Sequence, residues 1–324
     1  MKQNLLRGAA ALALVAAFAV ASSSAFAADK LRVAKSGISL MFTSLDVGEA
    51  AGIWKQLDLD VVGIQMDGEA PMQKAMASGE LDIALASGTS GAFKIKGVPQ
   101  SPVAQMSGPP ADFVVIVHPN SKYKDIKDLK GKKLGVTARG SLTDWLVHEA
   151  SRLQGWGDDG IEAVGISNLQ ARMAAMKNGD IDGMITTPET ATDYAENGAA
   201  KILLYFGDYV HDFVTHSILA HNDIINKKPE VLQRFLKGWF MTVAYMKKPE
   251  NREKSIEVMA GVLKISKTAA AVAFDAEIKV MSDDGAWDMK GLDVVRKSLP
   301  GFGLLDYVPE AKDLVSDKFV PVKF

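Results

Sequence analysis

Short apolar runs alternate with helically spaced apolar positions through the first two thirds of the chain, the pattern of strands joined by crossover helices. It is clearest at residues 131–145. Residues 133–136 predict a strand, Arg139-Gly140-Ser141 is turn chemistry, and Leu142, Trp145, Leu146 and Leu153 recur at helical spacing. Ser141 suits the N-cap of that helix, and Asp144 three positions later completes a pair resembling a capping box. A helix that starts at a glycine-serine loop on a strand's carboxyl end aims free N–H groups at the crevice where open α/β sheets hold ligands.

The same strand, loop and helix order opens the chain, with a strand at 31–35, the polar loop Ser36-Gly37-Ile38-Ser39 and a helix through 49–54. A strand at 59–64, a helix at 71–78 closed by Gly79 and a strand at 81–85 follow, ending in the polar loop Ala86-Ser87-Gly88-Thr89-Ser90. Strands are predicted around 103–106 and 113–117, and His118-Pro119-Asn120-Ser121 then supplies turn signals at which we expect the chain to cross between lobes. A helix at 189–197 stopped by Gly198, a strand at 201–204 and an apolar run at 213–220 long enough to return to the first lobe come next. From Pro229 onward the pattern is helical, with Val231, Phe235, Leu236, Trp239, Phe240 and Val243 on one face and further helices at 256–263 and 268–280. These helices are expected to brace the first lobe.

The two halves echo one another. Met76-Ala-Ser-Gly-Glu-Leu-Asp-Ile-Ala-Leu aligns with Met176-Lys-Asn-Gly-Asp-Ile-Asp-Gly-Met-Ile, matching Met, Gly and Asp, and a small polar loop follows each copy. The offset of about a hundred residues is too long for a solenoid repeat and fits two lobes of one α/β plan with a cleft between them. The expected division is 28–118 for the first lobe, 119–216 for the second, and 217–324 for the return to the first lobe and its C-terminal helices. Residues 1–27 read as a cleaved signal peptide: Lys2 and Arg7 in a basic start, an apolar run from Gly8 to Val20, and Ala25-Phe26-Ala27 before the cut.

Composition narrows the classes. With 324 residues, 48% hydrophobic and 23% charged, the chain can bury a large core. It has no cysteine, so an exported form would rely on that core rather than on disulfides and is expected to carry no cysteine-linked lipid anchor. Loss of residues 1–27 removes two of the 37 basic groups and none of the 39 acidic ones, moving the formal charge from −2 to −4. That balance offers no attraction for nucleic acid or anionic membranes. The five histidines show neither HxH nor HExxH spacing, so no metal site is expected, and no nucleophile elbow or P-loop occurs. His211 and His216 near Asp212 are read as surface or hinge residues. No catalytic residue and no cofactor are expected. The tryptophans and methionines fall mostly on helix faces and read as core, with Trp145 and Phe42, beside the polar loops, as candidate pocket walls.

Leu31-Arg-Val-Ala, Gly48-Glu-Ala-Ala-Gly-Ile-Trp-Lys, the two Met-to-Asp segments, Asp128-Leu-Lys-Gly-Lys-Lys-Leu-Gly-Val-Thr, Gly140-Ser-Leu-Thr-Asp and Lys228-Pro-Glu-Val-Leu-Gln-Arg-Phe-Leu carry a resemblance spanning nearly the whole mature chain. They resemble the periplasmic solute-binding proteins of nitrate/taurine/sulfonate-type ABC importers. The resemblance implies a two-lobed type II periplasmic-binding-protein fold, hinge closure on a small-molecule ligand, and docking on an ABC permease in the inner membrane, with the protein a soluble periplasmic monomer. Many relatives have a proline before the Gly-Ser, where this chain has Arg139. Two other classes share the resemblance: a binding protein that serves a membrane receptor, and enzymes that make a pyrimidine precursor of thiamine. The latter use a cysteine-rich segment and reside in the cytosol. Strand carboxyl ends in both lobes nominate the ligand contacts: Ser36, Gly37 and Phe42; Ser87, Gly88 and Thr89; Thr137, Arg139, Gly140 and Ser141; and Thr187 and Glu189. Helix N-termini and an inward Arg139 would suit a sulfonate or carboxylate, with Glu189 facing an amine. If both charged side chains point to solvent, a neutral or aromatic solute stacked on Phe42 or Trp145 is expected instead.

Overall fold

The computed structural model describes residues 28–37, 39–66 and 68–324. The expected signal peptide, residues 1–27, lies outside the described residues. The first half contributes β1 (Asp29–Lys35), α1 (Ser44–Ala50), α2 (Ile53–Gln56), β2 (Leu59–Gln65), α3 (Glu69–Ala77), β3 (Ile83–Ser87), α4 (Gly91–Ile95) and β4 (Gln100–Ser107). Next come β5 (Val114–Val117), β6 (Lys133–Val136), α5 (Leu142–Leu153), β7 (Glu162–Gly165), α6 (Leu169–Asn178), β8 (Gly183–Thr186), α7 (Pro188–Glu196) and β9 (Lys201–Tyr205). The chain then runs through β10 (His216–His221), α8 (Asn222–Lys227), α9 (Pro229–Met246), α10 (Pro249–Leu263), α11 (Lys267–Glu277), α12 (Met289–Ser298) and α13 (Ala311–Leu314). The helix expected through 49–54 is broken, because Gly52 takes the left-handed conformation at φ 71° and starts a new turn at Ile53.

Two five-stranded sheets form, in the orders β2-β1-β3-β10-β4 and β7-β6-β8-β5-β9. Each has three parallel strands and then an antiparallel strand beside the third, β10 in one and β5 in the other. That antiparallel strand is the one brought across from the other sheet. The chain therefore changes sheets between Ser107 and Val114, earlier than the crossing expected at 118–121, and returns between Tyr205 and His216. Val114–Val117 is apolar on both faces and follows β4 closely, so its sequence does not say which sheet it enters; its hydrogen bonds run to β8 and β9. The polar stretch at 118–121 is a turn leaving β5, with Ser121 N–H donating to the His118 carbonyl at 2.8 Å.

The internal echo is a repeated piece of geometry. Met76 and Met176 are buried in their lobes, and Gly79 and Gly179 take φ 73° and 83°, turning the chain from helix toward strand. Asp82 Oδ2 accepts the Arg32 backbone N–H at 2.8 Å, and Asp182 Oδ2 accepts that of Lys133 at 2.9 Å, each tying the third parallel strand to the first. Asp82 also accepts from the Arg32 guanidinium at 2.9 and 2.8 Å. Asp82→Ala is expected to lower unfolding free energy by about 1–2 kcal/mol in urea melts, the worth of a half-exposed charged pair plus a backbone bond. An unchanged midpoint would show that the aspartate does not hold the strands together.

The first core joins β1, β3 and β10 to α9, α10 and α11 through Phe235, Trp239, Phe240, Met259 and Phe274, as the C-terminal pattern led one to expect. Trp54 stacks on Phe235 at 5.3 Å and donates its indole N–H to the Leu45 carbonyl. In contrast, α12, a helix beyond those predicted within the 217–324 segment assigned to the first lobe, joins its Leu292 and Val295 to the second core with Trp145, Phe213 and Phe302. In addition, α11 packs along α7 of the second lobe. Among the described residues no helix is long and apolar enough to cross a membrane.

Candidate functional site

Loops at the carboxyl ends of the parallel strands meet between the sheets and line an open-mouthed cavity of about 790 Å³. The first lobe supplies Ser36 and Gly37 after β1, Ser39 and Phe42, and Ser87 and Thr89 at the end of β3. The second supplies Thr137 after β6, residues 140–143 where α5 begins, and Thr187 ahead of α7. Nine of the residues nominated from sequence therefore converge: Ser36, Gly37, Phe42, Ser87, Thr89, Thr137, Gly140, Ser141 and Thr187. Three do not line the cavity, each for a local reason.

Gly88 is a packing position. Its N–H donates to the Thr215 carbonyl at 2.8 Å, and a Cβ there would lie 1.9 Å from the Val214 carbonyl oxygen, so the end of β3 presses on the returning strand. Arg139 turns away: Nη1 donates to the Ala163 carbonyl at 3.1 Å and lies 3.1 Å from Asp144 Oδ1 as an ion pair, with 62% of the side chain exposed. Glu189 is buried behind Thr187, has one oxygen without a partner among the described residues, and is pushed up to about 7 by burial. Trp145 stacks on Phe213 at 4.6 Å and belongs to the second core, so it is no pocket wall.

At the start of α5 the expected cap forms, Ser141 Oγ accepting from the Asp144 N–H. Asp144 reaches back one residue beyond the cap, accepting from the Gly140 N–H at 2.9 Å. The hydroxyls of Thr137, Ser141 and Thr143 bond to one another at 2.9–3.0 Å. The positive end of the helix is thus already met by the chain's own carboxylate and hydroxyls.

Several cavity groups had no legible signal in the sequence. Glu69, Gln73 and Lys74 come from α3, and the Glu69 carboxylate accepts from Ser90 Oγ at 2.5 Å and Gln73 Nε2 at 2.8 Å. Burial raises Glu69, and those two bonds work against the rise. Asp112 lies on the first crossing and His216 on the second, with Oδ2 and Nε2 3.4 Å apart. Burial pushes Asp112 up to about 7 and His216 down to about 3, so the imidazole is neutral, with Nδ1 3.1 Å from Ser107 Oγ. His216, read from the sequence as a surface or hinge residue, is buried at the end of the second crossing. Pro109-Pro110 just before Asp112 is the one local mark of the crossing. Phe93, Phe113, Phe302 and Leu304 add apolar wall, drawn from three separate segments. Among the described residues no three metal-binding side chains converge.

The profile of the NMT1/THI5-like family matches residues 40–251. No curated protein matches the sequence significantly. Among solved structures, the periplasmic aliphatic sulphonate-binding protein SsuA of Escherichia coli is similar with a TM-score of 0.73 and 18% identity, over 89% of this chain and 92% of that one. The alkanesulfonate-binding protein SsuA of Xanthomonas axonopodis pv. citri, bound to MOPS, gives 0.67 and 16%, covering 87% and 95%. The periplasmic nitrate-binding protein NrtA of Synechocystis PCC 6803 gives 0.61 and 13%, covering 74% and 68%. At such identities the likeness is one of fold, and it agrees with the two sheets of common plan and the cavity between them. The chain has the two-lobed periplasmic-binding-protein fold and belongs to the NMT1/THI5-like family.

Proposed function

We propose that the protein is an extracytoplasmic solute-binding protein that captures a small organic solute between its lobes and delivers it to the permease of an ABC importer in the inner membrane. The observation that carries this reading is the 790 Å³ cavity lined by loops from both lobes, which two chain crossings connect. A ligand touching both walls favours the closed arrangement over the open one by its contacts to the second wall. The similar proteins named for binding sulphonates and nitrate support a transported solute, and residues 1–27 support export. Nine nominated residues on the wall are the proposed contacts; Arg139, Gly88 and Glu189 are withdrawn from contact. The sulfonate or carboxylate head expected from the sequence loses its forked donor with Arg139. A binding protein that serves a membrane receptor would hold its ligand identically, and copurification with a permease or with a receptor separates the two.

Thermal-shift screening tests capture, because a ligand at a hundred times its dissociation constant adds about 2.7 kcal/mol to stability. Thr143→Trp, filling the cavity from the α5 side, is expected to abolish that shift, and it lowers the unliganded melting point as well, because it removes the hydroxyl that accepts from the Thr137 N–H. Small-angle scattering should show a smaller radius of gyration with the same ligand. A ligand of verified affinity that shifts both proteins equally would place binding elsewhere.

A further inference from the structure

Resting on the solute-binding reading, we propose that the cavity selects an organic cation: a solute with an aromatic or branched apolar body and an ammonium head, held against Asp112 within a wall of phenylalanines.

The charge inventory points this way. Two carboxyl groups line the cavity, Asp112 and Glu69, whereas the one cationic side chain that lines it among the described residues is Lys74, exposed on α3. Arg139, which would have suited an anion, is committed to Ala163 and Asp144. The N-terminus of α5 is likewise committed, since the Asp144 carboxylate accepts from Gly140 and would stand beside any anion that bound there. Asp112 is 2% exposed, and the neutral His216 lies 3.4 Å from its carboxylate. It is a buried acid on the cavity wall with no Lys or Arg paired to it among the described residues. Phe42, Phe93, Phe113 and Phe302 line the same space, and aromatic faces attract cations while covering an apolar body.

An ammonium head would supply the missing counter-charge, so binding is linked to ionisation of Asp112. Burial holds Asp112 at about 7; His216 faces it, the Asp112 charge in turn raises Glu189 of α7 and Glu277 of α11, and Glu69 and Lys74 share its cavity. A cation needs the ionised acid, so affinity rises with pH up to about 7 and then levels. An anion would show the opposite trend, because ionised Asp112 repels it.

Phenethylamine, phenethyl alcohol, hydrocinnamate and phenylethanesulfonate share a body and differ in head charge, and calorimetric titration of the full protein between pH 5 and 8 with these four probes is the test. Phenethylamine is expected to bind at least about tenfold more tightly than the alcohol at pH 8, with affinity falling toward about tenfold per unit as pH drops below 7. Asp112→Asn is expected to bring it to the alcohol's affinity and to flatten the profile; the parent's profile is informative even if that variant does not fold. Tighter binding of hydrocinnamate or the sulfonate, lost in Thr143→Trp, overturns the cation assignment and leaves the cleft a solute site. Failure of all four probes to bind counts against the assignment, and failure of a broad solute screen with them counts against the solute-binding reading. Phenethylamine binding that is independent of pH and of Asp112 also overturns the proposal.

Discussion

Gly88→Ala is expected to lower the unfolding free energy by about 3 kcal/mol, the upper range for forcing an added methyl into packed surroundings. The added carbon would sit 1.9 Å from the Val214 carbonyl oxygen and 2.9 Å from its carbon, both backbone atoms that no rotamer change can move. Val214 precedes β10, so relief would require the returning strand to shift, and with it the Gly88 N–H to Thr215 carbonyl bond. Gly37→Ala is the control, because its added methyl meets nothing within 4 Å among the described residues; it should stay within about 0.5 kcal/mol of the parent. Urea melts of the three proteins decide the matter. A Gly88→Ala midpoint equal to the parent's would mean that the two segments do not approach as described.

A second large effect is expected from Glu189→Gln. Glu189 is buried where α7 meets α11, and Glu277 on α11 is buried with neither oxygen partnered among the described residues; burial raises both acids, and Glu189 adds to the rise of Glu277. A raised native pKa means that the folded protein keeps a proton the unfolded chain has released. Its stabilising contribution is therefore whole below the ordinary value of 4.5 and is lost as pH climbs to about 7. Each pH unit in that window costs about 1.4 kcal/mol, so the loss reaches about 3 kcal/mol at pH 7. Glutamine has nearly the same shape and no charge to bury. The variant should match the parent near pH 4.5 and exceed it by about 3 kcal/mol at pH 7, and Glu277→Gln should move in the same direction. A difference between parent and variant that does not change with pH would show that Glu189 is ionised in the folded protein.

Much of the site was legible because the sequence marks strand ends locally. Ser36-Gly37, Ser87-Gly88-Thr89 and Gly140-Ser141 each break an apolar run with small polar residues, and in a parallel sheet such breaks at carboxyl ends face the crevice. The charged residues were harder. Arg139 and Glu189 stand beside those loops in the chain, yet one folds back to pair with Asp144 and the other is buried behind Thr187. A long side chain's direction depends on which partner lies within reach, and Asp144 and the Ala163 carbonyl are brought to Arg139 by α5 and β7 packing together.

What the sequence by itself determined is the local order of strands and helices, the cap at Ser141, the turns at Gly79 and Gly179, and the repeated plan of two lobes. Each depends on hydrophobic period, capping chemistry or a left-handed glycine, all properties of a few adjacent residues. Only the tertiary structure decided that Val114–Val117 joins the second sheet, that α12 belongs to the second core, and that Asp112, His216, Glu69 and four phenylalanines share one cavity. Those assignments follow from pairing between segments about seventy to two hundred residues apart, where a short apolar strand fits either sheet edge equally well until burial and hydrogen bonding are satisfied together.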